Sequence, residues 1–205
     1  MTVTRKQSVW NIPNILTMMR ISAIPVLVVL LLPCWSSNPG VQSKAGGFWA
    51  AALFAVASIT DWLDGYLARR MGIQTVLGAF LDPIADKLIV MACLIMLLPY
   101  GNIPAWMVLV ILSREIIITG LRSIASSEGI VIPASNLGKF KTIFQIVAII
   151  GLLLHYDYHW FFSSTHPLLT VNMFNVGMFY LWIATIITIW SAVDYLRTFV
   201  KVFVK

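Results

Sequence analysis

Residues 47–69, GFWAAALFAVASITDWLDGYLAR, decide how this chain folds. The stretch from Gly47 to Thr60 carries no charged residue. The whole segment is long enough to cross the hydrocarbon core of a bilayer as a helix, which takes about 20 residues. Its last turns carry Asp61 and Asp64, three residues apart and hence on one face of a helix. An apolar helix that ends in two acids predicts a membrane span with a chemical function at one end.

Five further apolar segments of similar length are found along the chain. With the first they predict six transmembrane helices, at residues 16–32, 47–69, 81–98, 104–125, 137–154 and 171–195. Residues 11–14 precede the first span as a turn-like entry, and residues 99–102, Pro-Tyr-Gly-Asn, predict a tight turn. We find no internal repeat. Residues 1–205 are therefore expected to form one domain, an all-α integral membrane protein with a short N-terminal juxtamembrane segment.

Composition supports the membrane assignment. The 205 residues are 60% hydrophobic and only 11% charged, whereas soluble domains are about 25% charged. The net charge of +6 raises the alternative of a nucleic-acid partner. We expect no such partner, because the basic residues follow the ends of the predicted spans.

The lysines and arginines also predict the orientation. With six spans both termini lie on the same side, and of the 14 basic residues only Lys44 falls on the opposite side. Basic residues collect on the cytosolic side of membrane proteins. Both termini and the loops around residues 70–80 and 126–136 should therefore face the cytosol from the cell (inner) membrane.

Four aspartates are expected to meet at this cytosolic edge. Asp61 and Asp64 end the second span, while Asp82 and Asp86 begin the third, which runs antiparallel to it. Clustered carboxylates repel one another, and a hard divalent cation such as Mg²⁺ or Mn²⁺ relieves that repulsion. Each pair taken alone also fits a solvated helix end, and Asp82 before Pro83 fits a helix N-cap.

Small residues accompany the acids. Gly65 and Ala68 share the helical stripe of Asp61, and Gly78 shares that of Asp82 and Asp86. Small side chains let a bulky phosphate-bearing ligand approach the backbone closely, although they also serve packing between membrane helices. Arg69, beside them, is placed to pair with phosphate oxygens.

These residues carry a resemblance to a known family. The pattern Asp61-x2-Asp64-Gly65-x2-Ala68-Arg69-x8-Gly78-x3-Asp82-x3-Asp86 resembles the signature of the CDP-alcohol phosphatidyltransferases at all of its fixed positions. The flanking residues resemble one branch, the phosphatidylglycerophosphate synthases. They are residues 11–17 before Arg20, residues 60–62 and 79–83, residues 114–117 with 121–122, and residues 138–142.

The resemblance implies a fold and a set of roles. It implies six membrane helices, a homodimer and a polar cavity open to the cytosol. Asp61 and Asp82 would bridge two metal ions, with Asp64 completing one site and Asp86 the other, and Asp86 would act as general base. The residues implied to line the CDP site are Pro13, Asn14, Thr17, Gly65, Ala68, Arg69, Thr75 and Gly78.

The implied substrates are CDP-diacylglycerol and sn-glycerol 3-phosphate. The acceptor's phosphate needs a basic pocket, for which the candidates are Arg114, Arg122, Lys139 and Lys141. Arg114 is the strongest of them, because an arginine well inside a predicted span is functional by default. The others also fit the simple cytosolic bias of basic residues. Glu115 is expected to pair with a neighbouring base.

Three alternatives stay open from the sequence. Another acceptor within the family would make the chain a cardiolipin synthase or an inositol-phosphate transferase. The same aspartates could serve a divalent-cation transporter, although such sites usually lie near the membrane midplane in repeated folds. A structural scaffold would not explain why four acids cluster at one edge of the membrane.

Overall fold

The computed structural model describes residues 12–32, 41–71, 76–130, 136–159 and 170–203. Within these ranges the chain forms a helical fold with one short pair of strands. The elements are α1 (Ile12–Leu30), α2 (Lys44–Met71), α3 (Val76–Leu97), a 3-10 turn (Leu98–Tyr100), α4 (Ala105–Ser127), α5 (Asn136–Leu154), β1 (Asp157–His159), β2 (Thr170–Asn172) and α6 (Met173–Phe203).

All six predicted helices are confirmed as helices, with corrections to their boundaries. Helix α1 begins at Ile12, so residues 12–14 of the expected turn-like entry are already helical. Helix α3 begins at Val76, which places Asp82 inside the helix and not at its N-cap. Helix α6 begins at Met173, because residues 171–172 of the predicted span belong to β2, and it continues past Tyr195 to Phe203. Hydropathy does not fix such ends, because a helix is held by backbone hydrogen bonds that continue through residues of any polarity.

The predicted turn between the third and fourth helices is confirmed. Gly101 adopts a left-handed backbone with φ of 66°, and its N–H donates to the carbonyl of Leu98 at 3.0 Å. Glycine takes this conformation without the steric cost that a Cβ would bring. The turn sends α4 back alongside the bundle.

The helices pack around one apolar core. Helix α1 contacts α2 and α3, α2 contacts α5, and α4 contacts α6. The most extensive contact is between α5 and α6. There Gly151 and Gly177 allow the two backbones to touch, since a Cβ on Gly151 would lie 2.8 Å from the Cα of Gly177. The largest fully buried apolar side chains are Phe54, Leu27, Leu31, Leu94, Leu97, Met107, Ile111, Ile149, Leu152, Leu153 and Leu181.

The end of the bundle opposite the aspartates carries the strand pair, which the sequence did not predict. Strands β1 and β2 are antiparallel, with Asp157 opposite Asn172. Beside them the hydroxyl of Tyr156 donates to the carbonyl of Gln42 at 2.7 Å, and the Gln42 amide donates to the carbonyl of Leu153 at 3.1 Å. These bonds join the start of α2 to the end of α5.

The outer surface of the bundle is apolar. Large exposed hydrophobic side chains occur on every helix, with Leu109 66% and Trp190 69% exposed. Among the described residues one helix is long and apolar enough to cross a membrane, Met173–Val202, with a mean hydropathy of 1.8. Residues Ile15–Leu30 and Phe140–Leu154 form shorter apolar helices. Charged residues interrupt the apolar runs of α2, α3 and α4.

Candidate functional site

Asp61 near the end of α2 and Asp86 in α3 meet at one atom of a third helix. The Nη1 of Arg20, on α1, lies 3.0 Å from Oδ1 of Asp61 and 2.5 Å from Oδ1 of Asp86. The two carboxylate oxygens are therefore no farther apart than the sum of these distances. Had the two aspartates lain on faces turned away from each other, a shared acidic site would be excluded.

The exposed fractions of these three side chains show from which side Arg20 approaches the carboxylates. The Arg20 side chain is 2% exposed, whereas those of Asp61 and Asp86 are 42% and 40% exposed. Arg20 thus approaches the carboxylates from inside the bundle, and the carboxylates face an open side. Thr17, a predicted CDP contact, lies one turn before Arg20 on the same helix and is also buried.

The other predicted members of this site are placed by their backbone alone. Helix α2 continues through Met71, so Asp64, Gly65 and Ala68 follow Asp61 on one stripe, with Arg69 next in sequence. Gly78 and Asp82 precede Asp86 at intervals of four in α3. Their side chains, and those of Pro13 and Asn14 in α1, lie outside the description, as does all of Thr75.

Asp61 and Asp86 have the donor chemistry of a divalent cation site. They bring two carboxylates from different helices onto one positive group, and hard cations prefer such oxygen ligands. Among the described side chains, no group of three His, Cys, Asp or Glu residues gathers in one place. Asp64 and Asp82 are the predicted remaining ligands, and their part stays a prediction.

A second polar cluster joins α4, α5 and α6. One oxygen of Glu115, Oε1, accepts hydrogen bonds from Nη1 of Arg114 at 3.0 Å and from Nζ of Lys141. The Nη2 of Arg114 donates to Oγ of Ser191 at 3.0 Å. Lys141 and Ser191 are buried. The expected pairing of Glu115 with a neighbouring base is therefore confirmed, and it involves two bases.

Further cations surround this cluster. Lys87, which follows Asp86 in α3, donates to Oγ1 of Thr119 on α4. Lys87 and Arg114 are close enough to Arg122 to be repelled by its charge, and Lys141 is similarly affected by both Arg114 and Lys87. Glu115 itself contacts two of these cations, Arg114 and Lys141, while Lys87 and Arg122 lie within electrostatic range of Arg114. Lys141 is buried and Arg114 largely buried, and the two share one carboxylate. An excess of buried charge of one sign calls for a counter-ion, so this part of the cluster is suited to bind an anion.

The predicted phosphate-binding residues differ in their surroundings. Arg114 is largely buried, and its Nε has no hydrogen-bond partner among the described groups. Arg122 is exposed, with its guanidinium carbon 6.0 Å from the centre of the Tyr195 ring. The backbone of Lys139 lies in the first turn of α5, and its side chain is outside the description.

Three site residues were not predicted from the sequence: Arg20, Lys87 and Ser191. Arg20 and Lys87 had the same signal that pointed to Arg114, a charge within an apolar segment, which is functional by default. In the sequence both indicate the cytosolic side, and Arg20 also belongs to the residues that resemble the family, but neither is predicted to contact another side chain. Ser191 had no signal, because a serine in a membrane helix is common and its contact with Arg114 spans two distant helices.

Comparisons with known proteins give a family match and several named relatives. Residues 10–190 match the family described as CDP-alcohol phosphatidyltransferase. A Bacillus subtilis protein is 47% identical over 150 residues, covering 71% of this chain and 78% of that protein. A Rickettsia bellii protein is 36% identical, covering 94% and 97%, and a Haemophilus influenzae protein is 37% identical, covering 92% of each. All three are named CDP-diacylglycerol–glycerol-3-phosphate 3-phosphatidyltransferase.

Proposed function

This chain belongs to the CDP-alcohol phosphatidyltransferase family and is a phosphatidyltransferase, and we propose that it joins CDP-diacylglycerol to sn-glycerol 3-phosphate. The products are phosphatidylglycerophosphate and CMP. This reaction is an early step of phosphatidylglycerol synthesis. The observation that carries the proposal is the meeting of Asp61 and Asp86 beside a cluster of buried bases. One site suits a metal-bound pyrophosphate and the other suits the phosphate of a small acceptor.

The protein is a membrane protein, as its family and its apolar outer surface indicate. We place it in the cell (inner) membrane with all six helices spanning the bilayer. The short apolar helices then cross with their charged ends at the cytosolic interface. Both termini and a polar cavity around Asp61 would face the cytosol, where glycerol 3-phosphate is dissolved. We expect a homodimer.

The family uses divalent metal ions, and here Asp61, Asp64, Asp82 and Asp86 would hold them. We propose two ions, Mg²⁺ or Mn²⁺. When bound, they would neutralise the charge that develops on the bridging oxygen as its bond to the lipid-bearing phosphorus breaks and CMP leaves.

The nucleotide would lie along the small residues that follow the aspartates in α2, opposite the face of α1 that carries Thr17. The proposed CDP contacts are Pro13, Asn14, Thr17, Gly65, Ala68, Arg69, Thr75 and Gly78. The burial of Thr17 one turn from Arg20 supports this, because it puts that face of α1 beside the carboxylates.

Asp86 is the proposed general base. Its carboxylate takes the proton from the primary hydroxyl of glycerol 3-phosphate as that oxygen attacks the phosphorus that bears diacylglycerol. The bond between this phosphorus and the bridging oxygen breaks, and CMP leaves with the electron pair. The 40% exposure of the Asp86 side chain supports the role, because a base has to reach a substrate hydroxyl.

The acceptor's phosphate would bind at Arg114 and Lys141, with Lys139 and Arg122 at the cytosolic side. The proximity of Asp86 and Lys87 in α3 supports this, because adjacent residues of one helix can serve the two neighbouring sites. An acceptor held here by its phosphate would present its hydroxyl toward the aspartates.

The test is CMP release by the purified protein in detergent with CDP-diacylglycerol, Mg²⁺ and a panel of alcohols. Glycerol 3-phosphate should be the preferred acceptor. A preference for phosphatidylglycerol or inositol phosphate would contradict the proposed acceptor and identify another one within the family. Asp86→Asn should lower kcat at least about 10²-fold, the smaller end of a general base's contribution, while CDP-diacylglycerol still binds. Asp194→Asn, an exposed acid on α6, is the matched control. Near-normal turnover of Asp86→Asn would remove Asp86 from this role.

A further inference from the structure

Arg20 is the least expected residue of the carboxylate site. It lies in the middle of α1, an otherwise apolar helix with no other charged residue. Its side chain is 2% exposed, and it contacts carboxylates from two other helices. A buried arginine is costly unless paired, so the carboxylates hold Arg20 in place as much as Arg20 holds them together.

We propose that Arg20 is a built-in counter-cation that keeps Asp61 and Asp86 together before metal binds and that, through its positive charge, weakens the site's affinity for the metal. The proposal rests on the proposed function, in which these aspartates are metal ligands. It assigns Arg20 a positioning role through the carboxylates.

The burial pattern argues that Arg20 stays in place when a metal arrives. The guanidinium is enclosed by protein, whereas the side chains of Asp61 and Asp86 are 42% and 40% exposed. A cation entering from the open side meets carboxylates that are already assembled. The fixed positive charge of Arg20 lies behind these carboxylates, so that only one carboxylate group separates it from the entering cation.

Two effects of Arg20 on metal affinity oppose each other. Holding the carboxylates together favours binding, because fewer side chains must be ordered when the metal arrives. Repulsion between a single and a double positive charge a few ångströms apart opposes binding, and at that distance it exceeds the ordering of two short side chains. Removing the charge of Arg20 should therefore tighten metal binding and destabilise the metal-free protein.

The experiment is a titration of the full-length protein with Mn²⁺ in detergent, without substrates, followed by the electron paramagnetic resonance of free Mn²⁺. Arg20→Met should bind Mn²⁺ at least about tenfold more tightly than the wild type. It should melt at a lower temperature in EDTA and regain stability with Mn²⁺ to a larger extent than the wild type. Arg197→Met, which removes an exposed charge from α6, should leave the affinity unchanged.

Arg20→Lys covers the case in which Arg20→Met does not fold without metal. Because lysine keeps the positive charge, the Mn²⁺ affinity of the Arg20→Lys variant should stay within about threefold of the wild type. Unchanged or weaker binding by Arg20→Met, or a tenfold tightening by Arg20→Lys, would overturn the proposal. Failure of the proposed function would look different: the wild type would bind no Mn²⁺ or release no CMP, and the role of Arg20 would fall with it.

Discussion

Replacing Lys141 by methionine tests the acceptor site most directly. Methionine has nearly the length of lysine and no charge, so the buried position on α5 stays filled. Glu115 keeps its other partner, Arg114, at 3.0 Å, and is not left as an uncompensated buried charge. The fold should therefore survive, and the substitution should affect mainly the binding of the acceptor's phosphate, which Lys141 is proposed to contact.

The size of the effect follows from the kind of bond that is lost. A hydrogen bond between charged groups contributes about 1.5–3 kcal/mol, and each 1.4 kcal/mol is about a factor of ten. The kcat/KM for glycerol 3-phosphate should then fall about 10- to 150-fold. The fall should come mainly from a higher KM for this substrate, with the KM for CDP-diacylglycerol unchanged.

The assay is CMP release, with one substrate varied while the other is saturating. Lys201→Met, which removes an exposed charge from the last turn of α6, should leave both KM values unchanged. An unchanged KM for glycerol 3-phosphate in Lys141→Met would refute the acceptor site. An equal loss for both substrates would indicate a purely structural role for Lys141.

Two further predictions follow from single contacts. Ser191→Ala removes the hydroxyl that accepts from Arg114, worth about 1 kcal/mol, and should raise the KM for glycerol 3-phosphate about two- to tenfold; no change would mean that Ser191 does not position Arg114. Gly177→Ala would put a Cβ 2.6 Å from the backbone nitrogen of Leu152 and should cost about 1–3 kcal/mol, seen as a lower melting temperature. Gly120→Ala, where a Cβ meets no atom within 4 Å, is its control, and equal melting temperatures for both variants would contradict the close packing of α5 on α6.

The sequence alone predicted the helices and the chemistry of the acidic site. An apolar segment such as residues 47–69 has to satisfy its backbone hydrogen bonds internally in lipid, so its composition is sufficient to predict a helix. Spacings of three and four within one helix then put Asp61 and Asp64 on one stripe, because helical periodicity is fixed by local geometry. The same reasoning missed β1 and β2, since three-residue strands carry too little pattern.

Only the tertiary structure decided which charges meet. Arg20 and Asp86 are separated by 66 positions in the chain, and Arg114 and Ser191 by 77. All four are polar residues in apolar surroundings, but the sequence did not predict that Arg20 meets Asp86 or that Arg114 meets Ser191. Pairing depends on which helices are neighbours and how each is rotated about its axis, and both are set by packing of the whole bundle, including the close approach of Gly151 and Gly177. The physical reason is that helix formation is local, whereas a charge pair across helices is the outcome of every contact that holds them side by side.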